Sequence, residues 1–191
     1  MKPIVMVHGI TDTGKEFETM ILYLQKKGYK TYTIDLIPNF GTADLRDLAQ
    51  QVKQYINHKF TPEEKIILIG FSMGGLVTRY YLQRLNGINK VEEYISISAP
   101  NNGTNLAYTL PLKGILQMRP HSQFLEDLNK DVKQILANLK CLIIWTPFDA
   151  MIIPANSSLL GIGKEIKVPV LIHKWMISDQ QVLNEISNFL Q

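Results

Sequence analysis

The stretch that decides the fold is KIILIGFSMG, residues 65–74. An apolar run with three isoleucines ends in the pattern G-x-S-x-G, and a helical period follows it as far as Leu85. This pattern carries chemistry when it joins a strand to a helix, because the turn then exposes the serine hydroxyl above the sheet. A turn that tight leaves no room for a Cβ two residues before or after Ser72, and Gly70 and Gly74 meet this need. The alternative is a glycine-rich helix start that packs closely on a strand.

The rest of the chain repeats this alternation of short β-branched runs with longer stretches of helical period, which is typical of a parallel sheet wrapped by helices. The predicted helices are Glu16 to Lys27, a helix from Leu45 to Phe60 that Asp44 caps, Met73 to Leu85, and a final helix that starts at the capping-box pattern Ser178 to Gln181. The predicted strands are Pro3 to Val7, Lys30 to Ile34, Lys65 to Ile69, Val91 to Ser98, Lys140 to Trp145 and Ile166 to Ile172.

Composition sets the class of protein. The chain has 191 residues, of which 46% are apolar and 19% charged, and this predicts one folded domain over residues 1–191. Its net charge of +3 is scattered along the chain, which argues against a nucleic-acid surface. Cys141 is the single cysteine, so neither an intrachain disulfide nor a cysteine-based zinc site can form. Its apolar neighbours predict a buried thiol in a strand.

The apolar segments of the sequence indicate in which compartment the protein is expected. No stretch approaches the roughly 18 to 20 apolar residues of a membrane-spanning helix. Met1 and Lys2 run directly into a predicted strand, without the apolar region and cleavage site of a secretory signal. We therefore expect a soluble cytoplasmic protein, or a secreted one if a signal has been removed.

A serine nucleophile needs a base, and four histidines compete for this role. His173 directly follows the last predicted strand and thus shares the edge of the sheet with Ser72, so it is the predicted base. His58 is predicted to lie on the surface of a helix and His121 in an irregular segment. His8 ends the first strand and is expected to shape the following loop.

The base in turn needs an acid that fixes its tautomer. Asp149 stands in the turn after the strand Lys140 to Trp145 and is the predicted acid. Asp35 also follows a strand, but that strand precedes Ser72, and the chain order of nucleophile, acid and base would then fail. For Asp35 we expect a structural role in its turn.

Acyl transfer also requires two N–H groups where negative charge develops on the substrate oxygen. The Met73 N–H at the start of a helix is one candidate, and the Ile10 N–H, presented by the turn at Gly9, is the other. A phosphate-binding reading of residues 9–16 fails, because Glu16 follows Lys15 where that motif requires Ser or Thr.

Together, VMVHGI (5–10), GFSMGG (70–75), Asp149 and His173 resemble the α/β-hydrolase superfamily, and most closely its small bacterial lipases and esterases. SAPNNGT (98–104) and the segment after His173 are similar to lipase stretches, whereas Phe71 departs from the histidine that many lipases carry. The resemblance implies the minimal six-stranded fold with helices on both faces of the sheet and no large cap domain. It also implies Ser72, Asp149 and His173 as the triad, with Ile10 and Met73 as the oxyanion hole.

The resemblance leaves one segment, Asn101 to Asp131, as a possible cover for the site. Its apolar side chains line an acyl pocket or simply pack the fold, and both readings stay open. The predicted substrate contacts are His8, Gly9, Leu106, Met118 and Ile152.

We therefore expect a serine hydrolase of carboxylic esters, with an ester or lipid as its small-molecule substrate and with no metal or organic cofactor. The alternatives are an acyltransferase or thioesterase that uses the same triad, and a catalytically silent binding protein of the same fold.

Overall fold

The computed structural model describes residues 1–191 and is built on a six-stranded parallel sheet with the strand order β2-β1-β3-β4-β5-β6. This is the minimal α/β-hydrolase fold that the sequence predicts. The strands are β1 (Ile4–Val7), β2 (Thr31–Ile34), β3 (Ile66–Phe71), β4 (Val91–Ile97), β5 (Lys140–Trp145) and β6 (Lys164–Lys167).

Helices cover both faces of the sheet. They are α1 (Glu18–Lys26), α2 (Leu45–Lys59), α3 (Met73–Arg84), α4 (Lys113–Gln117), α5 (Gln123–Asn129), α6 (Val132–Ile135) and α7 (Gln180–Phe189). Strand residues alternate between the faces, so that Val5 and Val7 belong to the apolar cluster under α2 and α3, whereas Ile4 and Met6 belong to the cluster under α1 and α7. None of these helices combines the length and the apolar character that crossing a bilayer requires.

Of the three predicted helix starts at α1, α2 and α7, one is confirmed and two differ from the structure. Asp44 caps α2 as predicted and accepts a hydrogen bond from the Arg46 N–H. The predicted cap Ser178 is wrong, because the Asp179 carboxylate accepts from the N–H groups of Gln181 and Val182. The first predicted helix begins instead as a 3-10 turn, Gly14–Phe17, before α1.

The last predicted strand is also displaced, since it was expected over residues 166–172 and ends at Lys167. Beyond that residue, only the Val168 N–H still bonds to β5, at Trp145 O. Pro169 has no N–H to continue the ladder, and β6 is an edge strand, where such a break is tolerated. Val168 and Val170 are nevertheless buried, which explains the strand-like pattern. His173 therefore does not follow the strand directly, and a loop carries it to the site.

Candidate active site

Ser72 lies in a strained turn between β3 and α3. Its φ of 53° and ψ of −126° are unusual for a residue with a side chain. A Cβ at Gly74 would collide with the carbonyl oxygens of Val7 and His8, and one at Gly70 would collide with Thr78 Oγ1. The two glycines of the motif therefore let β3, α3 and β1 approach closely enough to hold this turn, as the sequence predicts.

The loop after β1 packs against the same serine. A Cβ at Gly9 would lie 3.0 Å from Ser72 Cβ, so that only glycine lets this loop come so near. Neither the Ile10 N–H nor the Met73 N–H is a donor in the backbone hydrogen bonds of the loops and turns. The first N–H groups of a helix have no partner within it. Two free donors thus flank Ser72, which is the condition that the predicted oxyanion hole requires.

The structure brings Asp149 and His173 into contact. His173 Nδ1 lies 2.8 Å from Asp149 Oδ2 and 2.9 Å from Oδ1. Oδ1 also accepts hydrogen bonds from the N–H groups of Met151 and Ile152, at 2.9 and 3.0 Å. The Asp149 side chain is only 1% exposed. Because these interactions keep a buried carboxylate in place, it can hold His173 in the tautomer that carries its proton on Nδ1.

The other ring nitrogen of His173 is free. Nε2 is buried and has no hydrogen-bond partner, Ser72 Oγ included. The imidazole packs on Phe71, with ring centroids 4.9 Å apart and planes inclined by 33°. Because Phe71 directly precedes Ser72, this contact brings the imidazole beside the nucleophile turn. The predicted Oγ to Nε2 bond is thus not formed in this structure, and catalytic hydrogen bonds are often loose before a substrate binds.

Lys174 ties the histidine segment to the loop after β1. Its Nζ lies 2.9 Å from Glu16 Oε2 and 3.4 Å from Asp12 Oδ1. The hydrogen bond to Glu16, together with the charge of Asp12, raises the pKa of Lys174 above its ordinary value. The ammonium group therefore stays charged at physiological pH and links the base segment to the predicted oxyanion loop.

A pocket of about 180 Å³ opens beside Ser72. Eight of the twelve residues that line it are hydrophobic. Two thirds of the lining residues come from the segment between β4 and β5, so this segment forms a wall of the site. The lining residues are Ile10, Ser72, Pro100, Thr104, Leu106, Ala107, Thr109, Leu110, Ile115, Met118, Met151 and Ile152.

The predicted substrate contacts divide into two groups. Leu106, Met118 and Ile152 line the pocket with Ser72, whereas His8 and Gly9 do not. His8 is buried and both of its ring nitrogens are occupied, since Nε2 accepts from the Leu36 N–H and Nδ1 lies 2.8 Å from Gly9 O. These hydrogen bonds agree with the expectation that His8 shapes the loop after β1, and a contact of His8 with substrate stays a prediction. Gly9 acts through its small size.

The remaining candidates lie away from the pocket. His58 and His121 are exposed on the surface. Asp35 accepts a hydrogen bond from the Gly14 N–H at 2.6 Å, which is the structural role expected of it. Cys141 is buried in β5, and burial raises the pKa of its thiol to about 12.

Two residues of the site were missed in the sequence. Phe71 supports the imidazole, as described above. Thr104 joins the pocket wall to the acid loop, because its Oγ1 donates to Met151 O and accepts from the Ile153 N–H, both at 2.9 Å. The sequence holds no signal for this link, since the partners of Thr104 lie more than 40 residues away in the chain.

Comparisons with known proteins place the chain among hydrolases. Residues 3–117 match the family described as palmitoyl protein thioesterase, a range that contains Ser72 but neither Asp149 nor His173. The chain is 32% identical to mouse lysosomal thioesterase PPT2 over 106 residues, 53% of this chain and 35% of that protein. It is 24% identical to Xenopus laevis lysosomal thioesterase PPT2-B over 210 residues, 86% of this chain and 73% of that protein. The alignment thus spans only about a third of the mouse relative.

The fold also recurs among solved structures. The mature lipase BlEst2 of Bacillus licheniformis superposes with a TM-score of 0.80 at 17% identity, over 100% of this chain and 92% of that one. At this identity the likeness concerns the fold alone.

Proposed function

Because this chain belongs to the palmitoyl protein thioesterase family, within the α/β-hydrolase superfamily, we propose that it hydrolyses carboxylic esters and thioesters of fatty acids through Ser72. The observation that carries the proposal is the buried Asp149–His173 pair, whose free Nε2 lies beside a strained serine turn. A buried carboxylate, an imidazole held by it and a serine hydroxyl are the three parts that acyl transfer to serine requires.

In the proposed reaction, His173 Nε2 takes the hydroxyl proton as Ser72 Oγ attacks the acyl carbon. The bond from that carbon to the leaving oxygen or sulfur then breaks, and the leaving group takes the proton from His173. Water attacks the acyl-enzyme with the same base, which releases the carboxylic acid and restores Ser72. Asp149 stabilises the imidazolium in both steps without being protonated.

The N–H groups of Ile10 and Met73 are assigned to the oxyanion. This role is supported by the lack of other acceptors for these donors and by the contact of Gly9 with Ser72. Losing one such donor costs about 10² to 10³ in kcat in a well-studied protease. Both donors are backbone atoms, so their contribution rests on the two loops rather than on the side chains of Ile10 and Met73.

The direct test is Ser72→Ala, assayed with p-nitrophenyl butyrate and with the matching butyryl thioester. We expect hydrolysis of both substrates to fall by at least about 10³, since the other parts of the site give only residual catalysis. Circular dichroism and the melting temperature should stay close to those of the wild type. Ser178→Ala, at an exposed serine, is the matched control. Retained turnover by folded Ser72→Ala would reject the proposal.

The same assay separates the alternatives. An acyltransferase would move the butyryl group to an added alcohol or thiol in preference to water, which product analysis detects. A catalytically silent member of the fold would turn over neither substrate as the wild-type protein. Of the two substrate types, the family match favours the thioester. The chemistry agrees, because a thiolate is a weaker base than an alkoxide and leaves more easily.

A further inference from the structure

The acyl pocket has polar side chains, but these are already occupied. Thr104 Oγ1 serves Met151 O and the Ile153 N–H, and Thr109 Oγ1 donates to Leu106 O at 2.8 Å. The other lining side chains are apolar except for Ser72 itself. A hydroxyl or amino group on the acyl chain would therefore lose its water without gaining a partner. This wall fits an unsubstituted hydrocarbon chain.

Two side chains that line the pocket, Ile115 and Met118, also belong to the apolar core, and we call this part of the lining its floor. Ile115 and Met118 are 8% and 7% exposed and belong to the large apolar cluster. A Cβ on Gly41 would lie 2.7 Å from Ile115 Cγ1 and 2.8 Å from Ile10 Cδ1, so these two lining side chains pack against Gly41 without space for a further carbon. An acyl chain that enters beside Ser72 therefore meets a packed floor.

This floor is anchored to α2. Gln117 lies between the two floor residues, and its side-chain amide donates to Asp44 Oδ1 at 2.7 Å and accepts from the Leu45 N–H at 2.8 Å. The Gly114 N–H donates to Gly41 O at 2.9 Å, so α4 is also fixed through its backbone. Moving the floor aside would break these buried hydrogen bonds, which makes it costly. The depth of the pocket is thus fixed by the fold.

The volume of the pocket limits the length of the acyl chain that it can hold. A cavity of about 150 Å³ accommodates benzene, and this pocket, which is open to solvent on one side, has a volume of about 180 Å³. From this comparison we infer that the site holds acyl chains of about six to eight carbons in full, and that Ile115 sets this limit. The inference rests on the function proposed above and deepens it. Carbons beyond this length would emerge past Leu110 and Met151, which are 50% and 42% exposed, and would gain little burial.

The test is a series of p-nitrophenyl esters and matching thioesters with acyl chains from two to sixteen carbons, each below its solubility limit. We expect kcat/KM to rise roughly two- to fourfold for each methylene up to about eight carbons, because each newly buried methylene adds binding. It should then level off or fall. A continuous rise to sixteen carbons would overturn the inference while leaving the proposed function intact. Hydrolysis of none of these substrates would instead reject the function.

Variants of the floor sharpen this test. Ile115→Ala removes three carbons from the floor, and we expect the preferred length to increase by two carbons or more. Ile115→Phe should decrease it. Ile135→Ala makes the same change in α6, away from the pocket, and should leave the preferred length unchanged. An unchanged length in folded Ile115→Ala would contradict the role of Ile115.

A measurement on the wild type keeps the inference testable if the floor variants do not fold. The rate of covalent modification by alkyl fluorophosphonates of two to sixteen carbons, followed by intact mass, should show the same maximum near eight carbons. A rate that increases steadily with alkyl length would overturn the inference.

Discussion

The two sides of the candidate site are held in place by different forces. On the nucleophile side, close backbone packing fixes Ser72, and no side-chain hydrogen bond caps α3. On the acid and base side, hydrogen bonds between distant loops do this work, as at Thr104 and in the bond from Thr146 Oγ1 to Val170 O. The first side should therefore be sensitive to added volume, and the second to the loss of a donor or acceptor.

The largest effect is expected from Gly74→Ala. The new Cβ would meet the carbonyl oxygens of Val7 and His8, which belong to the backbone and cannot rotate away. We expect about 3 kcal/mol or more of destabilisation, with loss of activity. Gly28→Ala is the comparison, because its Cβ would have only ordinary contacts with the Met1 side chain and its positive φ would cost about 1 kcal/mol. Urea unfolding measures both. A similar decrease in the free energy of unfolding in the two variants would contradict the packing argument.

Asp149→Asn tests the other side with almost no change in volume. The imidazole would lose the acceptor that fixes its proton on Nδ1, so kcat should fall by about 10³ to 10⁴ with a stable fold. Asp35→Asn, at the rival carboxylate, should change kcat less than about threefold, because Asp35 only accepts from the Gly14 N–H. Steady-state kinetics on one ester decides between them. Equal losses in the two variants would reject the assignment of the acid.

Thr104→Val keeps the shape of the side chain but removes its hydroxyl. Met151 O and the Ile153 N–H would lose a partner, at a cost of about 1 to 3 kcal/mol, and kcat should fall by up to about tenfold as the acid loop loosens. Thr104→Ser keeps the hydroxyl and should recover most of both losses. Thermal unfolding and kinetics on the pair provide the measurement. A serine variant as impaired as the valine variant would show that the methyl group, and not the hydrogen bonds, matters.

The smallest effect is expected outside the site, at the ion pair between Asp127 in α5 and Arg84 in α3. The hydrogen bond from Arg84 lowers the pKa of Asp127, so this carboxylate stabilises the fold above its unfolded pKa and loses that contribution as the pH falls through its folded pKa. Asp127→Asn should cost less than about 1 kcal/mol at pH 7, because the carboxylate is partly exposed. The difference from the wild type should be smaller at pH 3 than at pH 7. Urea unfolding at both pH values would show an unchanged difference if the contact is not electrostatic.

The contrast between the two sides also explains what the sequence could predict. The turn at Ser72 was predictable because its constraint is local, with Gly70 and Gly74 two residues away on either side. The contact of Asp149 with His173 could be anticipated from chain order and strand position, although β6 ends earlier than expected. Their catalytic roles stay predictions.

The parts that could not be predicted depend on contacts between distant residues. Thr104 and Thr146 hold loops that follow different strands, and nothing in their neighbourhood in the sequence indicates those partners. The support of His173 by Phe71 is of the same kind. The hydrogen bond of His8 is also of this kind, since its donor, the Leu36 N–H, follows a different strand.

The most direct test of the central claim is a crystal structure of the wild-type protein after reaction with a short alkyl fluorophosphonate. We predict that phosphorus is bonded to Ser72 Oγ, that its oxygen accepts from the N–H groups of Ile10 and Met73, and that His173 Nε2 lies within hydrogen-bond distance of the adduct. An adduct on another residue, or an imidazole turned away from a modified Ser72, would contradict the account.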